Sequence, residues 1–226
     1  MRRILRPEML FTALLALLAL ASCKENDEEV EEYPDWQNKN EQFFTNKYNM
    51  VKQQIASGNT SWKIIKAYGK PADVDGFTGS ATDYILVKVL EEGTGSGCPL
   101  FTDTVRCHYR GQLIASATHV DSSDPELGIA FDRSWNTDTY SPETSTPSKL
   151  AVSSLVDGFS TALQHMHIGD HWLVYMPHQL GYGSLVHNDI PAYSTLVFDM
   201  SLAAYYHPGK PVPDWQTPES FVWDAE

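Results

Sequence analysis

Cysteine and positive charge are both scarce in this sequence. Its 226 residues contain three cysteines, and 16 lysines and arginines stand against 29 aspartates and glutamates, for a formal net charge of −13. So acidic a chain argues against nucleic acid as a partner. Alternation with Val105 and Tyr109 predicts that Cys107 is a buried apolar residue rather than a reactive one. An oxidising compartment would permit a disulfide between Cys98 and Cys107, but the pattern does not favour one.

Long apolar runs are also scarce, and the clearest one lies at the start of the chain. Residues 10–21 are almost wholly apolar and follow three arginines among the first six residues. The run is shorter than the about 20 residues that cross a bilayer, so it predicts a secretory signal over residues 1–22. Residues 20–23, LASC, resemble the lipobox of bacterial lipoproteins. That resemblance implies cleavage before Cys23 and lipidation of its thiol.

The residues after Cys23 are acidic and almost free of apolar side chains. Residues 24–32 read KENDEEVEE, and such a segment buries too little surface to fold. We therefore predict an acidic tether over residues 23–34. The lipid on Cys23 would attach the protein to the outer membrane of the cell envelope, on either its periplasmic or its outward face.

A helix is predicted after Asp35, a candidate N-cap, as the main part of an N-terminal helical and irregular extension over residues 35–82. Phe44, Tyr48, Val51 and Ile55 follow one another at helical spacing. This single apolar stripe fits a helix that packs on its own domain. It also fits an arm that forms a homodimer or contacts a client protein.

Beyond the extension, the sequence predicts strands alternating with one helix. Strands are expected at residues 84–90, 101–109, 172–176 and 195–205, where β-branched or alternating apolar residues occur. A helix is expected over residues 154–166, ended by Gly169. This order predicts an α+β fold in which an antiparallel sheet wraps around one helix, with an irregular tail over residues 207–226.

Five motifs occur in a fixed order through this region. They are VRCHYRG (105–111), FDRS (131–134), LVDGFSTALQHMHIGD (155–170), LGYG (180–183) and IPAYSTLVFDMSL (190–202). In this order they resemble the FKBP-type peptidyl-prolyl cis–trans isomerases. The resemblance covers residues 83–206. It implies that family's fold, a curved antiparallel sheet around one helix, and its activity on Xaa–Pro bonds of proline-containing polypeptides.

The resemblance also implies roles for individual residues. Phe159 would form the floor of a pocket, where the family often has tryptophan, and the walls would be Tyr109, Phe131 and Phe198. The backbone N–H of Val156 and the hydroxyl of Tyr182 would hold substrate carbonyls. Asp132 would orient its neighbours without acting as a general base. Leu155 and Ile190 would complete the substrate-binding surface.

Such a reaction needs no nucleophile, which fits the stretch from Leu180 to Asp199. That stretch looks like the rim and floor of a pocket, yet it has no nucleophile-elbow serine, no cysteine and no carboxylate pair. Where the family often has an aromatic residue, this chain has residues 146–150, TPSKL. Trp135 or Tyr140 is a candidate to fill that gap.

Two other features of the sequence point to alternative functions. His165, His167 and His171 cluster, but their spacing does not suit a metal site, and no cofactor is expected. The rival function is a non-catalytic chaperone, or a protein- or glycan-binding module, on the same scaffold. It rests on five tryptophans outside the predicted barrel strands, which would form a contact patch if exposed: Trp36, Trp62, Trp135, Trp215 and Trp223.

Overall fold

The structure is a computed structural model that describes residues 30–71, 79–135, 140–141 and 145–215. The predicted signal segment, Cys23, most of the acidic tether and Trp223 lie outside the described residues. Within those ranges, no helix combines the length and the apolar character needed to cross a membrane.

The described part of the chain forms one antiparallel sheet with a helix on each side. The elements in chain order are α1 (Trp36–Ala56), β1 (Trp62–Lys66), β2 (Tyr84–Glu91), β3 (Thr104–Ile114), β4 (Leu127–Arg133), β5 (Ser148–Ala151), α2 (Asp157–Leu163), β6 (His171–Met176) and β7 (Leu196–Tyr206). The strands lie in the order β1-β2-β6-β7-β3-β4, and β5 pairs with β3 beside this path. The predicted α+β fold with an N-terminal helix before the sheet is confirmed.

The strand β1 lies inside residues 35–82, the predicted N-terminal extension. It nevertheless pairs with β2 from Trp62 opposite Lys88 to Lys66 opposite Tyr84. The extension therefore contributes an edge strand to the same sheet. The boundary at residue 83 stays a prediction.

The inner face of the sheet, which faces α2, carries the larger apolar core. Alternate residues of β7 point into it, including Leu196, Phe198 and Met200, as the alternation in the sequence predicts. The short helix α2 approaches β6 closely because Gly158 has no side chain. A Cβ there would lie 2.8 Å from the Met176 sulfur.

The outer face of the sheet carries a second core beneath α1. Phe44 and Val51 of the helix pack with residues of β2, β6 and β7, among them Leu86, Tyr175 and Val197. The apolar stripe of α1 thus packs within its own chain. Lys47 is also buried there, where it pairs with Glu126 and holds its ammonium 4.9 Å from the Tyr175 ring centre.

Two local predictions need correction. The helix expected over residues 154–166 spans only Asp157–Leu163, because residues 152–154 form a 3₁₀ turn and Leu155 and Val156 are extended. Asp35 does precede α1, but its carboxylate caps no backbone N–H. It accepts a hydrogen bond from the Asn38 side chain instead, at 2.6 Å.

Candidate functional site

A cavity of about 530 Å³ opens between the inner face of the sheet, the start of α2 and residues 181–195, which we call the rim loop. All nine pocket residues proposed from the sequence line it. They are Tyr109, Phe131, Asp132, Leu155, Val156, Phe159, Tyr182, Ile190 and Phe198. Strands β3, β4 and β7 supply the walls, α2 the floor, and the rim loop the remaining side.

Aromatic rings in edge-to-face contact form the floor and walls. Phe159, at the third position of α2, lies with its ring centre 4.9 Å from that of Phe198 and 5.7 Å from that of Tyr109. Phe131 meets Phe198 at 5.6 Å. These separations are those that aromatic pairs prefer. The rings therefore support one another and present an apolar surface to the cavity.

Gly111 leaves the space that two of these rings occupy. A Cβ at this position would lie 2.6 Å from the Phe131 ring and 2.7 Å from the Phe198 ring. The glycine that interrupts β3 in the sequence is therefore required by the packing of the pocket walls.

Asp132 holds Tyr109 in place at the edge of the cavity. Its Oδ2 accepts the Tyr109 hydroxyl at 2.8 Å, and its Oδ1 accepts the Arg133 backbone N–H at 2.8 Å. Burial, and then the hydrogen bond and charge of Asp132, raise the pKa of Tyr109. The phenol therefore stays protonated and donates to the carboxylate.

Tyr182 forms the opposite side of the cavity with His187. Their rings stack with centres 4.0 Å apart and planes 8° apart. Burial and the charge of Asp132 raise the pKa of Tyr182, so its hydroxyl is available as a hydrogen-bond donor across the ordinary pH range. His187 and Ile190 close a tight turn through two backbone hydrogen bonds.

The cavity has aromatic walls and phenol donors, and the segment that forms it matches a known protein family. Residues 99–203 match the family described as FKBP-type peptidyl-prolyl cis-trans isomerase. This segment is an FKBP-type domain. It contains every residue of the cavity lining.

Known relatives of the FKBP-type domain cover about half of the chain. The FKBP-type 22 kDa peptidyl-prolyl cis-trans isomerase of Escherichia coli is 32% identical over 116 residues, 51% of this chain and 47% of the relative. The outer membrane protein MIP of Legionella longbeachae is 31% identical over 51% of this chain and 41% of its own length. The matched segment thus spans about half the length of these relatives or less.

Among solved structures, the crystal structure of FkpA from Escherichia coli is 20% identical. The alignment covers 94% of this chain and 76% of that one with a TM-score of 0.45. The fold described above depends on the strand order and pairings, not on this likeness.

Five further residues of the FKBP-type domain line the cavity and were missed by sequence reasoning. They are Leu150, Ser154, His187, Asn188 and Asp189. Leu150 occupies the region where an aromatic residue was missing from the sequence pattern. Trp135 and Tyr140 do not line this cavity; they contact each other, and Tyr140 also contacts His108 and His171. The rim-loop residues 187–189 lie between two recognised motifs, and their spacing alone carried no signal.

The tryptophans that support the rival function lie in different surroundings. Trp36 and Trp135 are 7% and 5% exposed, and Trp62 and Trp215 are half-buried. None of the described tryptophans is fully exposed, which weakens the rival function without testing it at Trp223.

The clustered histidines each have a different partner. His165 bonds the Thr161 carbonyl, His167 lies near Asp170 and His171 pairs with Asp199. Within the described ranges, no group of three side chains is arranged to hold a metal ion. Cys98 and Cys107 are both free thiols.

Proposed function

We propose that this protein is a peptidyl-prolyl cis–trans isomerase that binds Xaa–Pro segments in the aromatic cavity. The observation that carries the proposal is the convergence of the nine predicted residues on one cavity within an FKBP-type domain. The proposal is supported by a relative that is named as a peptidyl-prolyl cis-trans isomerase. The substrates would be proline-containing polypeptides.

The chemistry that such a cavity performs is bond rotation. An Xaa–Pro bond rotates over a barrier of ~18–20 kcal/mol because the peptide C–N bond has partial double-bond character. Twisting removes the conjugation and leaves a less polar carbonyl. A water-poor aromatic site therefore favours the twisted state over the planar one, which is differential binding of the transition state.

Each group of residues has a separate task in this proposal. Phe159, Tyr109, Phe131 and Phe198 enclose the proline ring, and Leu155 and Ile190 extend that apolar surface. The Tyr182 hydroxyl and the Val156 backbone N–H hold the carbonyls on either side of the rotating bond. Asp132 keeps Tyr109 in position through the 2.8 Å hydrogen bond.

We further propose that the protein works in the cell envelope, anchored to the outer membrane by a lipid on Cys23. The lipobox-like LASC sequence supports the anchor, and a relative is named an outer membrane protein. Its clients would be exported polypeptides. Homodimerisation through α1 stays a prediction that light scattering on the purified protein tests.

The test is the cis-to-trans exchange rate of an Ala-Leu-Pro-Phe peptide, measured by NMR with the purified protein. We expect catalysed exchange, and a loss of about fivefold in kcat/KM for Tyr182→Phe, since one hydrogen bond contributes about 1 kcal/mol. The matched control is Tyr205→Phe. It removes a hydroxyl bonded to the Ser96 carbonyl at 3.3 Å, outside the cavity, and should leave the rate unchanged.

The absence of catalysed exchange by the folded protein, for peptides with any residue before proline, would exclude the enzyme. A proline peptide that nevertheless binds would then indicate the non-catalytic chaperone or binding module.

A further inference from the structure

The first turn of α1 is bonded directly to the rim loop. The indole Nε1 of Trp36 donates to the Ser194 hydroxyl at 2.8 Å, and that hydroxyl donates to the Pro191 carbonyl at 2.7 Å. Trp36 also belongs to the same apolar cluster as Ile190. A short relay of hydrogen bonds therefore runs from the helix to the residue that follows Ile190 of the cavity.

Asn40, one turn later, makes a second bond to the same region. Its side chain is completely buried, and its Oδ1 accepts the Thr195 backbone N–H at 2.7 Å. Its Nδ2 donates to the Trp36 carbonyl at 2.8 Å. A buried amide within a helix is costly unless it is bonded. Here it caps the backbone one residue before β7 begins.

The rim loop has a backbone that needs such support. Asn188 and Tyr193 adopt left-handed φ angles of 50° and 64°; asparagine tolerates this region, but for tyrosine it is strained. The Tyr193 N–H also bonds the Gly183 carbonyl at 2.9 Å, beside Tyr182. Whatever fixes residues 191–195 therefore also fixes the Tyr182 side of the loop.

We propose that Trp36 and Asn40 are positioning residues for the substrate pocket. They hold the rim loop so that Ile190, His187 and Tyr182 face the bound Xaa–Pro segment. The N-terminal helix, which lies outside the FKBP-type match, is thereby part of the substrate-binding apparatus. The effect on substrate binding rests on the proposed isomerase function. The effect on the conformation of the rim loop does not.

The test compares variants at the two ends of α1. Trp36→Phe keeps an aromatic ring but removes the indole donor, and Ser194→Ala breaks the same relay with a smaller change. Val51→Ala is the matched control, because Val51 is completely buried against the outer core and far along the helix from the rim. Asn40→Ala tests the second bond.

Two measurements are made on each folded variant. The first determines KM and kcat for the Ala-Leu-Pro-Phe peptide. If the protein proves inactive, the dissociation constant of the peptide is determined instead. The second is amide hydrogen exchange of residues 183–195. We expect Trp36→Phe and Ser194→Ala to raise KM about fivefold, as loss of a hydrogen bond predicts, with kcat within about twofold. Amide exchange in the rim loop should become faster in both.

Val51→Ala should lower the melting temperature while leaving KM and rim-loop exchange unchanged. Unchanged KM and exchange in both relay variants would overturn the proposal. So would an equal rise of KM in Val51→Ala, since that would show a general loss of stability. An inactive wild type would count against the isomerase alone, because peptide binding and amide exchange still measure the positioning effect.

Discussion

The inner face of the sheet is lined by apolar and aromatic side chains that pack on α2 and end in the cavity. The outer face is divided. Part of it is the apolar core beneath α1, and the rest carries His108, Tyr140, His171 and Asp199, which we call the outer polar cluster. Alternate residues of the same strands serve both faces, so Phe198 faces the cavity while Asp199 faces His171.

The two faces of the sheet should both contribute to stability but differ in their contribution to binding. Both faces contain completely buried residues, so substitutions on either should destabilise the fold. Only the inner face touches the cavity, so its aromatic residues should affect isomerisation directly, whereas the core residues of the outer face should not. The outer polar cluster adds titratable groups, so pH should act mainly through the outer face.

The largest expected effect is a matched pair of core truncations. Phe198→Ala on the inner face should lower the free energy of unfolding by about 3–5 kcal/mol, and Leu86→Ala on the outer face by about 2–5 kcal/mol. Both residues are 5% exposed or less. Urea unfolding measures the losses. At a temperature where both variants are folded, peptide exchange should show lost activity for Phe198→Ala alone. Equal losses of activity would contradict the difference between the two faces.

The next effect is the pH dependence of stability through His108. Burial lowers its pKa to about 4, while the unfolded chain binds a proton near pH 6.5. The unfolded state therefore takes up the proton first, and the free energy of unfolding falls as the pH falls from 6.5 towards 4. The loss is roughly 2 kcal/mol at pH 5. His108→Phe should lose less stability than the wild type between pH 7.5 and pH 5, by urea unfolding.

His171 sharpens this prediction because its shift has the opposite sign. Burial lowers its pKa, but the hydrogen bond and charge of Asp199 outweigh that effect, so the net pKa is raised. Its contribution is present below pH 6.5 and is lost as the pH rises through the native pKa. His171→Gln should therefore lose more stability than the wild type as the pH falls below 6.5. Identical pH profiles for all three proteins would contradict both assignments.

A smaller effect is expected for Gly111→Ala. The added methyl group would push the rings of Phe131 and Phe198, at a cost of about 1–3 kcal/mol, and should reduce kcat/KM by narrowing the cavity. Gly58→Ala is the control. Gly58 has a φ of 88° with nothing near its missing Cβ, so that variant should lose stability through backbone strain but keep its activity.

The smallest effect concerns the two thiols, which differ in burial. Cys107 is completely buried on the inner face and burial raises its pKa, while Cys98 is partly exposed. A thiol reagent followed by mass spectrometry should modify Cys98 in the native protein. Cys107 should react only after unfolding. Rapid modification of Cys107 in the native state would show that the inner core opens readily.

Local pattern predicted much of the sheet, because the alternation in β7 is a local signal of which face each residue takes. The nine residues that line one cavity were implied by the resemblance that five ordered motifs carry. Their individual roles stay proposals. The helix predicted over residues 154–166 was too long, because the apolar spacing continues beyond Leu163 to Met166, which is buried without being helical.

Contacts between distant parts of the chain were not predictable in this way. His108 lies on the face of β3 opposite the buried Cys107, where alternation favours exposure, yet it is 1% exposed because Tyr140 and Trp215 contact it. The apolar stripe of α1 indicated a packed helix but not its partner strands. Nor did it indicate that Trp36 bonds Ser194, since hydrogen-bonding side chains leave no periodic pattern.

The separation of Trp36 and Ser194 by 158 residues has a consequence for how the chain is made. The ribosome releases α1 and β1 long before β6 and β7, whose side chains cover the helix. Most of the stability of a helix in a protein comes from its tertiary packing, and contacts between such distant residues form slowly. During that interval the apolar stripe of α1 is open to other chains and to aggregation. The apolar stripe of α1 is therefore uncovered until β6 and β7 have joined the sheet.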